Sequence, residues 1–336
     1  RQRMKKFITV LLTIAMMFCL FGCNSDQQTN GGEDQTSEMP KIGFMLTSMD
    51  GSMVTTANNL ESEAKRLGWD YTTLSSDADT AKEMTNAESL VTLGVDVVVI
   101  LIVDSDASVA AIRYMTENGV QVIIAGRSAN VEDGDYATYV AGDHNLCGEA
   151  QAQFLNDYMA ANPDQVLNIG FVRGSASSTA ATAKYDGFVN GFLKVHENDE
   201  NVNYLAEEYG DFTAEKAYNL VTDWLQLYPE LNVIVSQSDD MTSGIVNAIK
   251  TQGLDPVNDF VIISADGTAV GIEGIRSGEF DCSVCMSMKA LAEQSMKAAE
   301  IIRNGGTVDK RTPIEGYYRL MTPENVDQIA AEEGLD

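Results

Sequence analysis

The sequence is poor in the residues on which most enzymes and nucleic-acid readers depend. Its 336 residues include two histidines, His144 and His196, and 22 Lys and Arg against 50 Asp and Glu. A net charge of −28 leaves little basic surface for phosphate contacts, so nucleic acid is not an expected partner. The usual general base is scarce, and no Gly-x-Gly-x-x-Gly, Walker A, Gly-x-Ser-x-Gly or His-Glu-x-x-His motif occurs. The expectation is a non-enzyme without cofactor. Cysteine is sparse as well. Cys282-x-x-Cys285 has no second Cys or His pair to complete a zinc site. It lies in a run from Glu279 to Met286 that reads as a strand, where an odd spacing points the two thiols to opposite faces. Cys147, Cys282 and Cys285 are therefore expected to be buried small side chains, with no metal site. The acidic turn from Glu197 to Asn201 lacks the glycine and ligand alternation of a calcium loop and reads as a solvated turn.

What is present begins with a basic N-terminus (Arg1, Arg3, Lys5, Lys6) and an apolar run from Phe7 to Leu20. The run is shorter than the ~20 residues of a spanning helix and has the layout of a secretory leader. Its ending, Leu20-Phe21-Gly22-Cys23, resembles the lipobox of bacterial lipoproteins. That resemblance implies cleavage before Cys23, lipidation of its thiol and a membrane-anchored protein outside the cytoplasm. Residues 1–22 are thus expected to be the signal, and residues 23–39, polar and without core-forming side chains, a flexible tether.

From Lys41 the pattern alternates. Short apolar runs read as strands, among them Gln121 to Ala125, and the β-branched stretch from Asp96 to Val103 reads as one buried on both faces. Helical periodicity lies between them, closed by Gly68, Gly94 and Gly119. The cycle restarts at Val166, with strands at 202–209, 233–236 and 260–264 and helices at 180–195, 214–227 and 242–252. Serial strand–helix units predict parallel sheets covered by helices. The fold class is α/β, with two Rossmann-like lobes and a cleft between them.

Ligands bind beyond the carboxyl ends of parallel strands. The residues placed there include Asp50, Ser52, Met53, Arg127, Asp143, Arg173, Phe212, Ser238 and Asp266. Asp104, Asp106, Asp240, Thr213 and Thr268 at the same rim read as helix caps. Arg127 and Arg173 cannot cap, since Arg only donates, and their forks suit hydroxyl pairs or carboxylates. His144 and His196 read as surface residues.

The stretches Ser236-Gln237-Ser238-Asp239-Asp240-Met241 and Ser264-Ala265-Asp266-Gly267-Thr268, together with Asp104-Ser105-Asp106-Ala107, Asp186-Gly187-Phe188 and Ser277-Gly278-Glu279-Phe280, resemble periplasmic sugar-binding proteins of the ribose/galactose type. The resemblance spans Lys41 to about Gly316. It implies the type I two-lobe fold with a three-stranded hinge: residues 40–142 with 287–314 in one lobe, and 143–286 with 315–336 in the other. It also implies a solute receptor that delivers a small polar ligand to an ABC permease and works as a monomer. Within the pocket it makes Arg127 a sugar-binding guanidinium, Phe212 an aromatic that packs on the ring, and Asp266 an acceptor for hydroxyls. Ser238 stands where an Asn is usual, and Met286 where a Gln is usual at the hinge. Gly126 replaces an Asp, and Thr182 a second-lobe Arg for which Arg173 would substitute in space. Asp50-Gly51-Ser52-Met53 replaces Asn-Pro-Phe-Phe, which removes two stacking aromatics. A sugar other than ribose, a polyol, a nucleoside or a furanone-type signal all fit such a pocket. So does a sensor that presents its ligand to a membrane kinase or chemoreceptor.

Overall fold

The structure is a computed structural model that describes residues 39–49 and 51–335. The expected signal, lipidation residue Cys23, tether up to residue 38, and Asp50 lie outside the described residues. The first sheet is built from strands β1 (Lys41–Leu46), β2 (Asp70–Ser75), β3 (Val97–Ile100), β4 (Gln121–Ala125), β5 (Thr138–Ala141) and β11 (Arg311–Pro313). Its order is β11-β5-β4-β3-β1-β2, all parallel. Alternation along each strand divides the core in two. Phe44, Val97, Val99, Ile123 and Val140 face helices α1 (Gly51–Leu67) and α9 (Met288–Arg303). Met45, Val98, Ile100, Val122 and Ile124 face α2 (Thr80–Leu93) and α3 (Val109–Glu117). Burial on both sides is why β3 reads as an unbroken β-branched run.

The second sheet contains β6 (Leu167–Arg173), β7 (Val202–Tyr209), β8 (Val233–Ser236), β9 (Val261–Asp266), β10 (Cys282–Met286) and β12 (Tyr318–Met321). The order is β12-β10-β9-β8-β6-β7, parallel except for the antiparallel pair β10–β12. One face packs on α4 (Asn145–Ala161) and α5 (Thr179–Phe188). The other packs on α6 (Ala214–Leu227), α7 (Asp239–Thr251), α8 (Ala269–Ser277) and α10 (Val326–Glu333). Cys282 and Cys285 fall on these two opposite faces, both buried, and burial pushes the Cys285 thiol up to about 12. The chain passes between the sheets in three places: between β5 and α4, between β10 and α9, and between β11 and β12.

The expected helix at 180–195 is divided. α5 ends at Phe188 and continues as a wider π turn, Val189–Leu193. The Asn156 side chain of α4 donates to the Gly191 carbonyl at 3.2 Å, so the wider turn releases a carbonyl to the neighbouring helix. Helices α4 and α5 touch backbone to backbone. A Cβ on Gly148 would collide with the Lys184 carbonyl, and one on Gly187 with the Asn145 carbonyl. Gly148→Ala should therefore force α5 outward and cost about 1–3 kcal/mol, read as a lower denaturant midpoint at unchanged m-value. Ala at the exposed Gly134, where a Cβ meets nothing, is the control and should shift the midpoint far less.

Candidate ligand-binding site

The carboxyl ends of both sheets meet at one cavity of about 860 Å³. Of the residues expected there, Ser52, Met53, Arg127, Phe212, Ser238, Asp266 and Met286 all line it. Two others do not. Arg173 ends β6 with its side chain turned away from the cavity. Its guanidinium lies 4.0 Å from the Tyr185 ring and 4.7 Å from the Tyr209 ring, and bonds Glu207 at 2.7 Å. Strand parity is the reason: Arg173 points the same way as Phe171, which packs edge-on against Tyr185. Asp143 is exposed, and its carboxylate accepts from the backbone and side-chain nitrogens of Asn145 at 3.1 and 2.9 Å. It serves the start of α4.

Of the caps expected at the rim, Thr213, Thr268 and Asp104 cap, whereas Asp106 accepts from the Asn130 side chain and Asp240 lies within α7 and lines the cavity. Ser238, Thr213 and Thr268 accept from the first-turn amides of α7, α6 and α8, and Asp104 accepts from Asp106 and Ala107. Ser238 both caps a helix and lines the cavity. Arg127 approaches the Ile102 and Val103 carbonyls at 3.4 and 3.3 Å through one terminal nitrogen and lies 5.4 Å from the Phe212 ring of the opposite lobe. Burial lowers its pKa against the pull of Asp266 and Glu83.

The residue that should have filled the place given to Arg173 is Lys184. It is 3% exposed, and its ammonium donates to Asp266 Oδ1 at 3.1 Å and to the Gln237 carbonyl at 3.2 Å. Burial works against its charge, but Asp266 and Cys147 together outweigh it and the pKa is raised. A signal for it exists in the sequence. Ala180, Lys184, Gly187 and Phe188 share one helical face, so the lysine sits on the buried stripe. Behind the pair lies Asp239. Its carboxylate accepts from the Ser264 and Ser283 hydroxyls, each at 2.7 Å, and from the Thr268 amide and hydroxyl at 2.7 and 3.0 Å. Burial and the nearby Asp266 push Asp239 up to about 7.

Backbone strain gathers at the same place. The described non-glycine residues with positive φ are Asp77, Ala78, Asp211, Phe212 and Asp266, and all but Asp77 line the cavity. Such conformations cost of order 1–3 kcal/mol each and persist only where the surroundings impose them. The lobes also touch across the cavity. Ser128 and Thr179 hydroxyls lie 3.0 Å apart, and Gly51 sits against the Asp240 carboxylate.

His144, expected at the surface, is instead a cavity residue at the first crossing between sheets. Its Nδ1 pairs with the Tyr318 hydroxyl and its Nε2 with the Gly126 carbonyl, which ties β12 of the second sheet to the loop after β4 of the first. Tyr317, also missed from sequence, lines the hinge end, and its ring lies against Gly142. Its hydroxyl has no hydrogen-bond partner among the described residues. His196 stays outside the site, bonding Asn156 at 2.8 Å. No group of three or more His, Cys, Asp or Glu among the described residues is placed to hold a metal ion, and no described helix is long and apolar enough to cross a membrane.

This architecture is a two-lobed receptor with its binding cavity between the lobes. Residues 42–307 match the periplasmic binding protein domain family, and the chain belongs to it. Its members bind solutes and are not enzymes. The chain is 25% identical over 314 residues to the ribose import binding protein of Salmonella typhimurium, covering 94% of this chain and 98% of that one. It is 22% identical to the xylitol-binding protein of Mycolicibacterium smegmatis, over 88% of this chain and 81% of that one. A solved galactofuranose-binding protein superposes with a TM-score of 0.78 at 20% identity, covering 88% of this chain and 98% of that one.

Burial and the neighbouring Lys184 hold the His144 imidazole down at about 4. The unfolded residue, near 6.5, takes up a proton that the folded one refuses. The stability it contributes is therefore complete above pH 6.5 and is lost as pH falls toward 4, by up to ~1.4 kcal/mol per unit. In denaturant titrations across that range, His144→Gln should lose this part of the slope; parallel curves for the two proteins would refute it.

Proposed function

We propose that this chain captures a sugar-like, polyhydroxylated solute between its lobes and hands it to the permease of an ABC transporter. The observation that carries the reading is the pairing of Arg127 and Asp266. One comes from the loop after β4 and the other from the end of β9, both line one cavity, and Asp266 favours the charge of Arg127. Forked donors opposite a carboxylate suit vicinal hydroxyls, which donate and accept at once. The lobes, taken as 40–142 with 287–314 and 143–286 with 315–336, close on ligand because only the closed state makes both sets of contacts. Relatives named for ribose and xylitol import or binding support the ligand class. A lipid on Cys23 would keep this monomeric receptor beside its permease on the outer side of the membrane.

Thermal unfolding of the full chain with pentoses, hexoses and polyols tests the ligand class. A ligand at 100 times its Kd should add about 2.7 kcal/mol. Arg127→Ala and Asp266→Ala should each weaken the best ligand about 10- to 100-fold, the equivalent of ~1.5–3 kcal/mol for a lost charge-assisted hydrogen bond. Unchanged affinity in both variants would place the site elsewhere.

The anchor has its own test. Cells expressing the chain should incorporate labelled palmitate into it, and Cys23→Ser should abolish both the label and membrane retention. Label retained by the variant would overturn the assignment.

A further inference from the structure

We infer that the ligand carries an apolar substituent on the end that faces the hinge: a methyl, deoxy, alkyl or aryl group on the sugar or polyol rather than another hydroxyl. This rests on the sugar-binding reading and narrows it. Met53, Leu101, Met286, Met288 and Leu291 line the cavity and pack with Tyr317 into one apolar cluster. Met286, Met288 and Leu291 lie at the crossing from β10 to α9, and Met53 and Leu101 join them from α1 and the end of β3. Leu101, Met288 and Leu291 belong to the buried core, each at most 5% exposed.

Three polar side chains near this apolar wall, Thr47, His144 and Tyr139, already have partners within the protein. The Thr47 hydroxyl donates to the Leu101 and Ile102 carbonyls, both at 3.0 Å. Both ring nitrogens of His144 are engaged, and the Tyr139 hydroxyl donates to the Gly126 carbonyl at 3.1 Å. The Tyr317 hydroxyl supplies a single donor, enough for one ether or glycosidic oxygen. A ligand hydroxyl pressed on the methionines would lose its water without gaining a partner, whereas a methyl or aryl group there loses nothing. Methionine thioethers also adapt to irregular apolar shapes and to ring edges.

The size of the cavity agrees. A free monosaccharide has about a dozen heavy atoms, which at ~30 Å³ each, the share of a liquid water, occupy less than half of 860 Å³. The cavity has room for a substituent that the polar groups around Arg127 and Asp266 do not address.

The test is calorimetric titration of the full chain with matched pairs: D-galactose against D-fucose, and D-galactose, D-ribose and D-glucose against their methyl and phenyl glycosides. At least one substituted member should bind tenfold or more tightly than its parent. Met286→Gln should shrink that ratio toward one, and Met286→Leu, which keeps the wall apolar, should preserve it and shows that substitution here leaves the fold intact. Parent sugars that bind as tightly as every substituted partner would overturn the inference and leave the sugar-binding reading standing. Failure of both series to bind would overturn the two together.

Discussion

The buried pair between Lys184 and Asp266 is the interaction on which the site's geometry depends. A lone ammonium at that depth would be untenable, and so would a lone carboxylate beside the ionisable Asp239. Each is tolerable because of the other, and the pair holds together parts of the chain that are distant in sequence. Lys184 is placed by α5, which is placed by its backbone contact with α4 at Gly148 and Gly187. Asp266 stands at the end of β9 with φ of 105°, a conformation its own sequence disfavours. The Asp239 carboxylate beneath gathers the Ser264, Ser283 and Thr268 donors that fix the turn following Asp266. A change at any of these positions reaches the cavity through the same carboxylate.

The positive φ angles extend that argument. Ala78 stands after β2 in one lobe, Asp211 and Phe212 after β7 in the other, and Asp266 at the last position of β9. Among the described residues, strand and helix interiors show no such non-glycine residue. The folded core therefore supports several unfavourable backbone conformations at the one place where side chains must be aimed into a shared space. The groups aimed are then ready before a ligand arrives, which reduces the ordering cost of binding.

Much of the fold was legible because its cause is local. Continuous β-branched runs and glycine-terminated helices announce a parallel sheet, and the ends of its strands announce a rim. The rim alone does not say which side chains turn inward. Arg173 stands at a strand end as Arg127 stands just beyond one, but parity sends it to the α5 face, where Tyr185, Tyr209 and Glu207 take it up. Asp143 spends its carboxylate on Asn145. Lys184 and His144 were hidden for the opposite reason. Each lies in or beside a helix in sequence and becomes a cavity residue only through packing between elements, α5 on the second sheet and the first crossing on β12. Tertiary contacts of this kind leave only faint marks in a sequence, such as a lysine on a buried stripe.

The contacts between the lobes show why such a receptor has use for a ligand. Hydroxyls meet at Ser128 and Thr179, and the Arg127 guanidinium faces the Phe212 ring. Each is worth roughly 0.5–1.5 kcal/mol in a solvated setting, too little to hold two lobes together against the freedom of a hinge. Gly51 also brings the first turn of α1 against the Asp240 carboxylate, where a helix N-terminus favours negative charge, and the second lobe contributes Asp211, Asp240 and Asp266 to the cavity. A solute that accepts from Arg127 and donates to these carboxylates converts a marginal interface into a favourable one. On the function proposed above, closure would report occupancy, because the two states would differ by the ligand's own contacts. On the same function, the surface offered to a membrane partner would then be populated only when the cavity is filled.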